Sequence, residues 1–155
     1  MRTVVNGDVN RHLSGMTLAL TYPGVPSIYA GDEIGLEGSS GEGGRRTIDW
    51  DHPEKWDQSF HAEVKKLISL RRTQSALIDG GLRWLEIEDD YLLFLRESVE
   101  QSLLIFISRT GVNIEIDLSH VGKTVDKTLY GATQSGKKLV IHSAVATQGV
   151  WEIKA

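Results

Sequence analysis

The sequence predicts an α+β protein in which a half of α/β type is followed by an antiparallel β-sandwich. In the first part, a helix, a short turn and an apolar segment succeed one another, an order typical of α/β architecture. Beyond residues 79–81 the helical period gives way to short runs in which apolar and polar residues alternate. We therefore expect one division of the chain, into residues 1–79 and residues 80–155.

The first predicted helix begins after Asp8, a residue type that is favoured at the helix N-cap. Four apolar residues then follow at spacings of four, three and four, which places them on one helix face: Val9, Leu13, Met16 and Leu20. Tyr22-Pro23-Gly24 is expected to end this helix. Residues 25–30 are short and mostly apolar, which predicts a strand covered on both faces in a parallel sheet.

A glycine-rich polar stretch, residues 35–44, predicts a long loop that is either functional or disordered. The loop ends in Arg45-Arg46-Thr47-Ile48-Asp49-Trp50-Asp51. A second helix is predicted over residues 59–75, with basic residues on its outer face. Its inward residues are Phe60, Val64, Leu67 and Ile68.

Six short β-type runs fill the second half and predict the antiparallel sandwich. They are residues 91–96, 103–107, 114–118, 128–130, 139–142 and 150–153. The run 103–107 is apolar at every position and is expected to be central, whereas 114–118 alternates and should have one solvated face. The expected core comprises Leu93, Leu95, Leu104, Phe106, Ile116, Ile141 and either Trp84 or Trp151.

Composition narrows the classes of partner and cofactor. Seventeen Lys and Arg are scattered among twenty-one Asp and Glu, giving a net charge of -4, so no nucleic-acid partner is expected. No apolar run approaches the ~18 residues of a membrane span, and there is no cysteine for a disulfide or a thiolate nucleophile. The glycine-rich loop lacks the ending of a phosphate-binding loop, and five histidines fall at no metal-like spacing. We therefore expect no cofactor, no metal and no membrane partner.

The residues after Met1 are polar and lack the apolar core of a secretory signal. This observation does not decide the cellular compartment, although it favours the cytoplasm.

Residues 23–35, with the sequence PGVPSIYAGDEIG, resemble the eighth-strand motif of α-amylase-family glycoside hydrolases, among them maltodextrin glucosidases and cyclomaltodextrinases. Arg45-Arg46-Thr47-Ile48-Asp49-Trp50 is similar to the family's RRxxxW element, and residues 67–72 are similar to its eighth barrel helix. The resemblance runs from about residue 8 to the end of the chain, although the β half matches by pattern only. Ser108 departs from the asparagine that commonly ends the family's third sandwich strand.

The resemblance implies that residues 1–79 hold helix 7, strand 8, the rim loop and helix 8 of a (β/α)8 TIM barrel, and residues 80–155 its C-terminal sandwich. A whole barrel needs about 250 residues, and its active site lies at the C-terminal ends of the strands. The resemblance therefore places four residues on the rim of a sugar cleft: Asp32, Glu33, Arg45 and Arg46. The arginines could bind sugar hydroxyls or form ion pairs that fix the loop, and the two acids could instead serve backbone donors and arginines.

Members of this family are retaining enzymes that use a nucleophilic carboxylate, a carboxylic acid and a further Asp, which follow strands four, five and seven. The chain is expected to begin after the seventh strand, so no catalytic residue is assigned to it. Asn6-Gly7-Asp8 with Arg11 looks similar to the family's NHDxxR motif, but Gly7 replaces the histidine. About twenty residues separate Asp8 from Gly31, too few for the customary loop and helix, so Asp8 is interpreted as a helix cap.

The resemblance implies part of a retaining glycoside hydrolase that acts on α-glucosidic bonds, with an α-glucan or maltooligosaccharide as substrate and no activity of the fragment alone. One alternative is a noncatalytic carbohydrate-binding sandwich, marked by tryptophans exposed on one face. Another is a packing or interaction module. Because the barrel strand and helix would have lost their neighbours, self-association through residues 9–34 is also expected.

Overall fold

A computed structural model describes residues 1–38, 43–131 and 138–155, so residues 39–42 of the predicted glycine-rich loop lie outside the described residues. Helices come first, and antiparallel sheets follow, as the sequence predicts. The helices are α1 (Val9–Thr21), α2 (Gln58–Thr73) and α3 (Ser75–Ile78). The strands are β1 (Gly81–Ile87), β2 (Tyr91–Glu97), β3 (Ser102–Ser108), β4 (Val112–Ile116), β5 (Thr124–Gly131), β6 (Leu139–Ser143) and β7 (Gln148–Lys154).

Each long helix begins at an aspartate whose side chain caps a free backbone N–H. Asp8 accepts a hydrogen bond from the N–H of Arg11 at 3.0 Å, which confirms its predicted role as the cap of α1. Asp57 does the same for the N–H of Phe60 at 3.1 Å. Helix α2 ends at Thr73, slightly before the predicted residue 75, because Gln74 has extended backbone angles and α3 starts separately.

The larger sheet has five antiparallel strands in the order β1-β2-β3-β7-β5, and β4 pairs with β6 in a second sheet. Strand β3 is central, as predicted, and its side chains alternate between two hydrophobic clusters. Leu103, Ile105 and Ile107 belong to a helix-facing cluster that also contains Met16, Leu20, Phe60, Val64 and Leu67. Leu104 and Phe106 belong to a sheet-facing cluster between the two sheets.

The sheet-facing cluster confirms the predicted sandwich core. It contains Leu93, Leu95, Leu104, Phe106, Ile116, Ile141 and Trp151. Of the two tryptophans considered, Trp151 is fully buried, whereas Trp84 is 37% exposed. Strand β1 was not among the predicted runs because a register shift between Trp84 and Glu86 interrupts its alternation.

The prediction of a buried strand at residues 25–30 is wrong for this chain. The segment has no regular secondary structure, among the described residues no strand pairs with it, and Val25 and Tyr29 are 96% and 57% exposed. A parallel strand needs neighbours for its backbone groups, and the described ranges of the chain supply none at that place. Only Ile28 packs against the helix-facing cluster. Arg71 holds the preceding turn by donating to the carbonyls of Tyr22 and Gly24.

Helix α1 does not have the uncovered apolar face that the self-association argument assumed. It packs against α2 and β3, and Met16 and Leu20 are buried there. The helix-facing cluster thus joins residues from both sides of residues 79–81, and the division into residues 1–79 and 80–155 stays a prediction. Within the described part of the chain, no helix is long and apolar enough to cross a membrane.

Candidate functional site

A glycine-bounded turn, residues 31–35, presents the two carboxylates that the resemblance places on a cleft rim. Its 3-10 segment Asp32–Ile34 is flanked by Gly31 and Gly35, with φ of 97° and 74°. A Cβ on Gly35 would stand 2.6 Å from Nη2 of Arg2, so both the angle and the space favour glycine there. The turn is fixed to the start of α2, where the N–H of Asp57 donates to the carbonyl of Ile34 at 3.2 Å.

Both carboxylates of this turn have partners within the protein. Oδ1 of Asp32 lies 2.6 Å from the amino group of Met1 and 3.8 Å from Nε2 of His12. Oε2 of Glu33 accepts a hydrogen bond from the N–H of Gly31 at 2.8 Å, which closes the turn on itself. The interpretation of Glu33 as a partner for backbone donors fits this geometry.

The two arginines of the rim loop, Arg45 and Arg46, are exposed. Nε of Arg46 donates to the carbonyl of Gly43 at 3.1 Å, so this side chain braces its own loop. Their binding of sugar hydroxyls stays a prediction.

A buried polar cluster behind the turn was missed by the sequence analysis. Nε of Arg2 donates to Nδ1 of His12 at 3.1 Å, and Nη2 of Arg2 donates to Asp57 at 2.9 Å. The Arg2 guanidinium lies 4.8 Å from the centre of the Phe60 ring, and the His12 ring stacks on Phe60 at 4.3 Å. Arg2, His12 and Asp57 are polar and are separated in sequence, so no periodic pattern could reveal that their side chains meet.

The electrostatics of this cluster keep His12 neutral. Burial, followed by the charge of Arg2, lowers the pKa of His12 to about 4. Because Arg2 can only donate, Nδ1 of His12 accepts, and the ring proton of the neutral form lies on Nε2, facing Asp32. Burial raises the pKa of Asp57, but hydrogen bonds from the N–H of Phe60 and from Arg2 outweigh it and hold the pKa below its usual value.

An aromatic group, Trp50, Trp56 and His61, lies beside the turn. The Trp50 and Trp56 rings meet edge to face at 5.4 Å, and Trp56 meets His61 of α2 in the same way at 5.8 Å. Nε1 of Trp56 donates to the carbonyl of Asp49 at 3.2 Å. Nδ1 of His61 lies 3.1 Å from the carbonyl of Glu33, which links the aromatic group to the turn.

A separate cleft of about 660 Å³ opens between α1 and the ends of β2 and β3. Arg11 crosses it and donates to the carbonyl of Arg109 at 3.0 Å, while Arg109 pairs with Asp90 at 3.0 Å. Arg11 also lies 3.6 Å from Asp8. Asp8 and Arg11 therefore serve the helix terminus and this cleft, in agreement with the interpretation of Asp8 as a cap.

No model of a known protein family matches the chain. Among curated proteins, a cyclomaltodextrinase from Geobacillus thermopakistaniensis is 34% identical over 118 residues, which are 75% of this chain and 20% of that protein. A maltogenic alpha-amylase from Bacillus acidopullulyticus is also 34% identical, over 116 residues that cover 72% of this chain and 20% of that protein. Among solved structures, a debranching enzyme from Nostoc punctiforme has a TM-score of 0.78 at 26% identity, over 98% of this chain and 33% of that one.

The chain is homologous to part of the α-amylase-family enzymes. It spans about a fifth of the length of the curated relatives it matches. This confirms the resemblance to the α-amylase family that the PGVPSIYAGDEIG segment indicates. The order of helices followed by antiparallel sheets likewise matches a portion of an α-amylase-family structure.

Proposed function

We propose that this chain forms the end of the catalytic barrel and the following β-sandwich of a retaining glycoside hydrolase. The enzyme would act on α-glucosidic bonds of maltodextrin-like sugars. Helix α1 would be barrel helix 7, residues 25–30 strand 8 and α2 helix 8. The observation that carries the proposal is the 34% identity to a cyclomaltodextrinase over 75% of this chain.

The exposed segment at residues 25–30 supports this assignment. Val25 is apolar and Tyr29 is aromatic, yet both side chains are largely exposed. Strands of a (β/α)8 barrel are apolar because they are covered on both faces and paired on both edges. A barrel strand that lacks its neighbouring strands would have this combination of sequence and exposure.

Asp32 and Glu33 are engaged within the protein, and we do not assign them as a catalytic pair. Retaining glycosidases hold a nucleophile and an acid about 5 to 5.5 Å apart on either side of the scissile bond. Asp32 is occupied by Met1 and His12, and Glu33 by the N–H of Gly31. We therefore expect catalysis to require carboxylates from other segments of a larger enzyme, while this chain supplies the rim turn and the supporting core.

A chimera tests the proposal. The segment of the Geobacillus cyclomaltodextrinase that aligns with this chain is replaced by residues 1–155, and cleavage of a chromogenic maltoside is measured. We expect the chimera to hydrolyse the substrate and the 155-residue chain to show no turnover. The matched control is the same chimera carrying Phe60→Asp, which places a charge in the helix-facing cluster and should abolish folding and activity together. A folded but inert chimera, or turnover by the chain alone, would contradict the proposal.

The alternative of a carbohydrate-binding sandwich gains no support from the tryptophans of the β half. Trp151 is fully buried in the sheet-facing cluster. Trp84 packs edge to face on Phe94 at 5.2 Å and lies 6.3 Å from Tyr22. Two exposed tryptophans on one face, which that alternative requires, are not found among these side chains.

A further inference from the structure

Trp50 is the most exposed of the four tryptophans, with 67% of its surface accessible. Large aromatic side chains are usually buried because each removes a large apolar area from water. Trp50 follows the rim loop directly, at the end of the RRxxxW element, and not in the β half. A flat apolar ring is thus presented to solvent beside the glycine-bounded turn.

The exposed ring is held in position by a chain of contacts. Trp56 supports it edge to face with the two ring planes at 81°, and the N–H of Trp50 donates to the carbonyl of Ile48 at 3.1 Å. Trp56 is itself fixed by Asp49 and by His61 of α2. A side chain that is already ordered loses little conformational entropy when a ligand packs on it, so the free energy of binding is more favourable than for a mobile ring.

The polar groups around Trp50 suit a neutral ligand rich in hydroxyl groups. Asp49 is paired with Lys55 at 3.0 Å, and His52 lies 3.0 Å from Glu54. These acids keep free lone pairs that can accept hydroxyl protons, while their basic partners can donate. Because Asp49 and Glu54 each have a basic partner, these pairs do not by themselves select an ionic ligand.

We propose that Trp50 is a sugar-stacking residue, on whose indole face one glucose unit of an α-glucan packs, with Asp49 and its neighbours hydrogen-bonding the hydroxyls. The choice of an α-glucan rests on the function proposed above. A solved debranching enzyme from Nostoc punctiforme, 29% identical and with a TM-score of 0.72, was soaked with acarbose. The apolar face of the sugar ring covers the indole, and Trp56 keeps that face turned outward.

Maltoheptaose is titrated into the 155-residue chain while the four indole N–H resonances are followed by NMR, with each assigned from a Trp→Phe variant. We expect the Trp50 resonance to shift saturably in the millimolar range, and Trp50→Ala to weaken binding by about tenfold or more. Trp84→Ala is the matched control, since Trp84 is also exposed, at 37%, and belongs to the β half. It should bind as the unchanged chain does. Cellohexaose, which has β linkages, tests the selectivity for α-glucans.

The inference is overturned if the Trp50 resonance does not move in a folded chain, or if Trp84→Ala weakens binding as much as Trp50→Ala. It is also overturned if iodide quenching shows that Trp50 is covered by protein in the sugar-free chimera. Failure of this inference and failure of the proposed function are distinguishable. An active chimera whose KM for maltoheptaose is unchanged by Trp50→Ala refutes only the stacking role, whereas an inert, folded chimera refutes the hydrolase assignment.

Discussion

Arg96 offers the sharpest test of how this fold is held together. It lies in β2 between Leu95 and Glu97, is only 1% exposed, and donates to backbone carbonyls. Nη1 reaches the carbonyl of Thr21 at 2.5 Å, and Nη2 reaches those of Leu77 at 3.2 Å and Gly80 at 2.7 Å. Nε adds a bond to Gly81 at 3.3 Å. One side chain thereby ties the end of α1, α3 and the start of β1 to the sheet.

The substitution Arg96→Met keeps much of the apolar stem but removes all the donors. Each buried carbonyl left without a donor costs about 1 to 3 kcal/mol, and the carbonyls of Thr21 and Leu77 are the most deeply enclosed. Part of this loss is recovered because the guanidinium itself no longer has to be desolvated; that desolvation and the charge of Arg71 lower the pKa of Arg96. We expect the free energy of unfolding to fall by about 3 to 5 kcal/mol, against a typical total of about 5 to 15 kcal/mol.

Urea unfolding of the 155-residue chain, followed by far-ultraviolet circular dichroism and tryptophan fluorescence, measures this change. Arg83→Met is the matched control, because Arg83 lies on the neighbouring strand β1 and pairs with Glu97 at the surface. An exposed ion pair contributes at most about 1 kcal/mol. If Arg96→Met costs no more than Arg83→Met, the buried guanidinium does not carry the connection between the helices and the sheet.

Three further outcomes follow from the structure. Because the pKa of His12 falls from 6.5 to about 4 on folding, the unfolded chain binds the proton more readily, and stability should drop by about 3 kcal/mol as pH falls from 6.5 to 4. The charges of Arg2 and of the Met1 amino group disfavour protonation of His12, whereas Asp32 and Asp57 favour it. The variant His12→Gln should therefore show a smaller change of its urea unfolding midpoint between pH 6.5 and 4. Gly80→Ala should lower the melting temperature, since its Cβ would collide with the carbonyls of Ala76 and Glu97, whereas Gly81→Ala, which has open space, should not. Self-association through residues 9–34 should depend on the exposed Val25 and Tyr29, so sedimentation of V25S/Y29S should show more monomer than the unchanged chain.

Much of the β half could be predicted because each strand is marked by a pattern of apolar and polar residues within its own short segment. Residues 103–107 of strand β3 are all apolar, as a strand covered on both faces requires, and β3 is central in the sheet. The core residues of the sheet-facing cluster follow from alternation, and Asp8 follows from the chemistry of helix caps. Strand β1 was missed because its register shift breaks the alternation on which such predictions depend.

The remaining features depend on contacts that no local pattern carries. Residues 25–30 have the composition of a buried strand, but a strand exists only when a neighbour satisfies its backbone groups. Arg96 has the sequence context of a solvent-facing strand residue, and its burial depends on carbonyls up to 75 residues away. The rim residues Asp32, Glu33, Arg45 and Arg46 came from family resemblance alone, and their roles in sugar binding stay predictions.

The start of α2 organises the features that the proposed function uses. Asp57 caps the helix, anchors Arg2 and donates its N–H to the glycine-bounded turn. One helical turn onward, His61 touches both the carbonyl of Glu33 and the Trp56 ring that supports Trp50. Phe60 and Val64 pack α2 against the helix-facing cluster. The rim turn and the exposed indole are therefore held in fixed positions relative to a rigid core. A sugar bound at Trp50 would thus be held at a fixed position relative to the Asp32–Ile34 turn, as precise placement of a substrate requires.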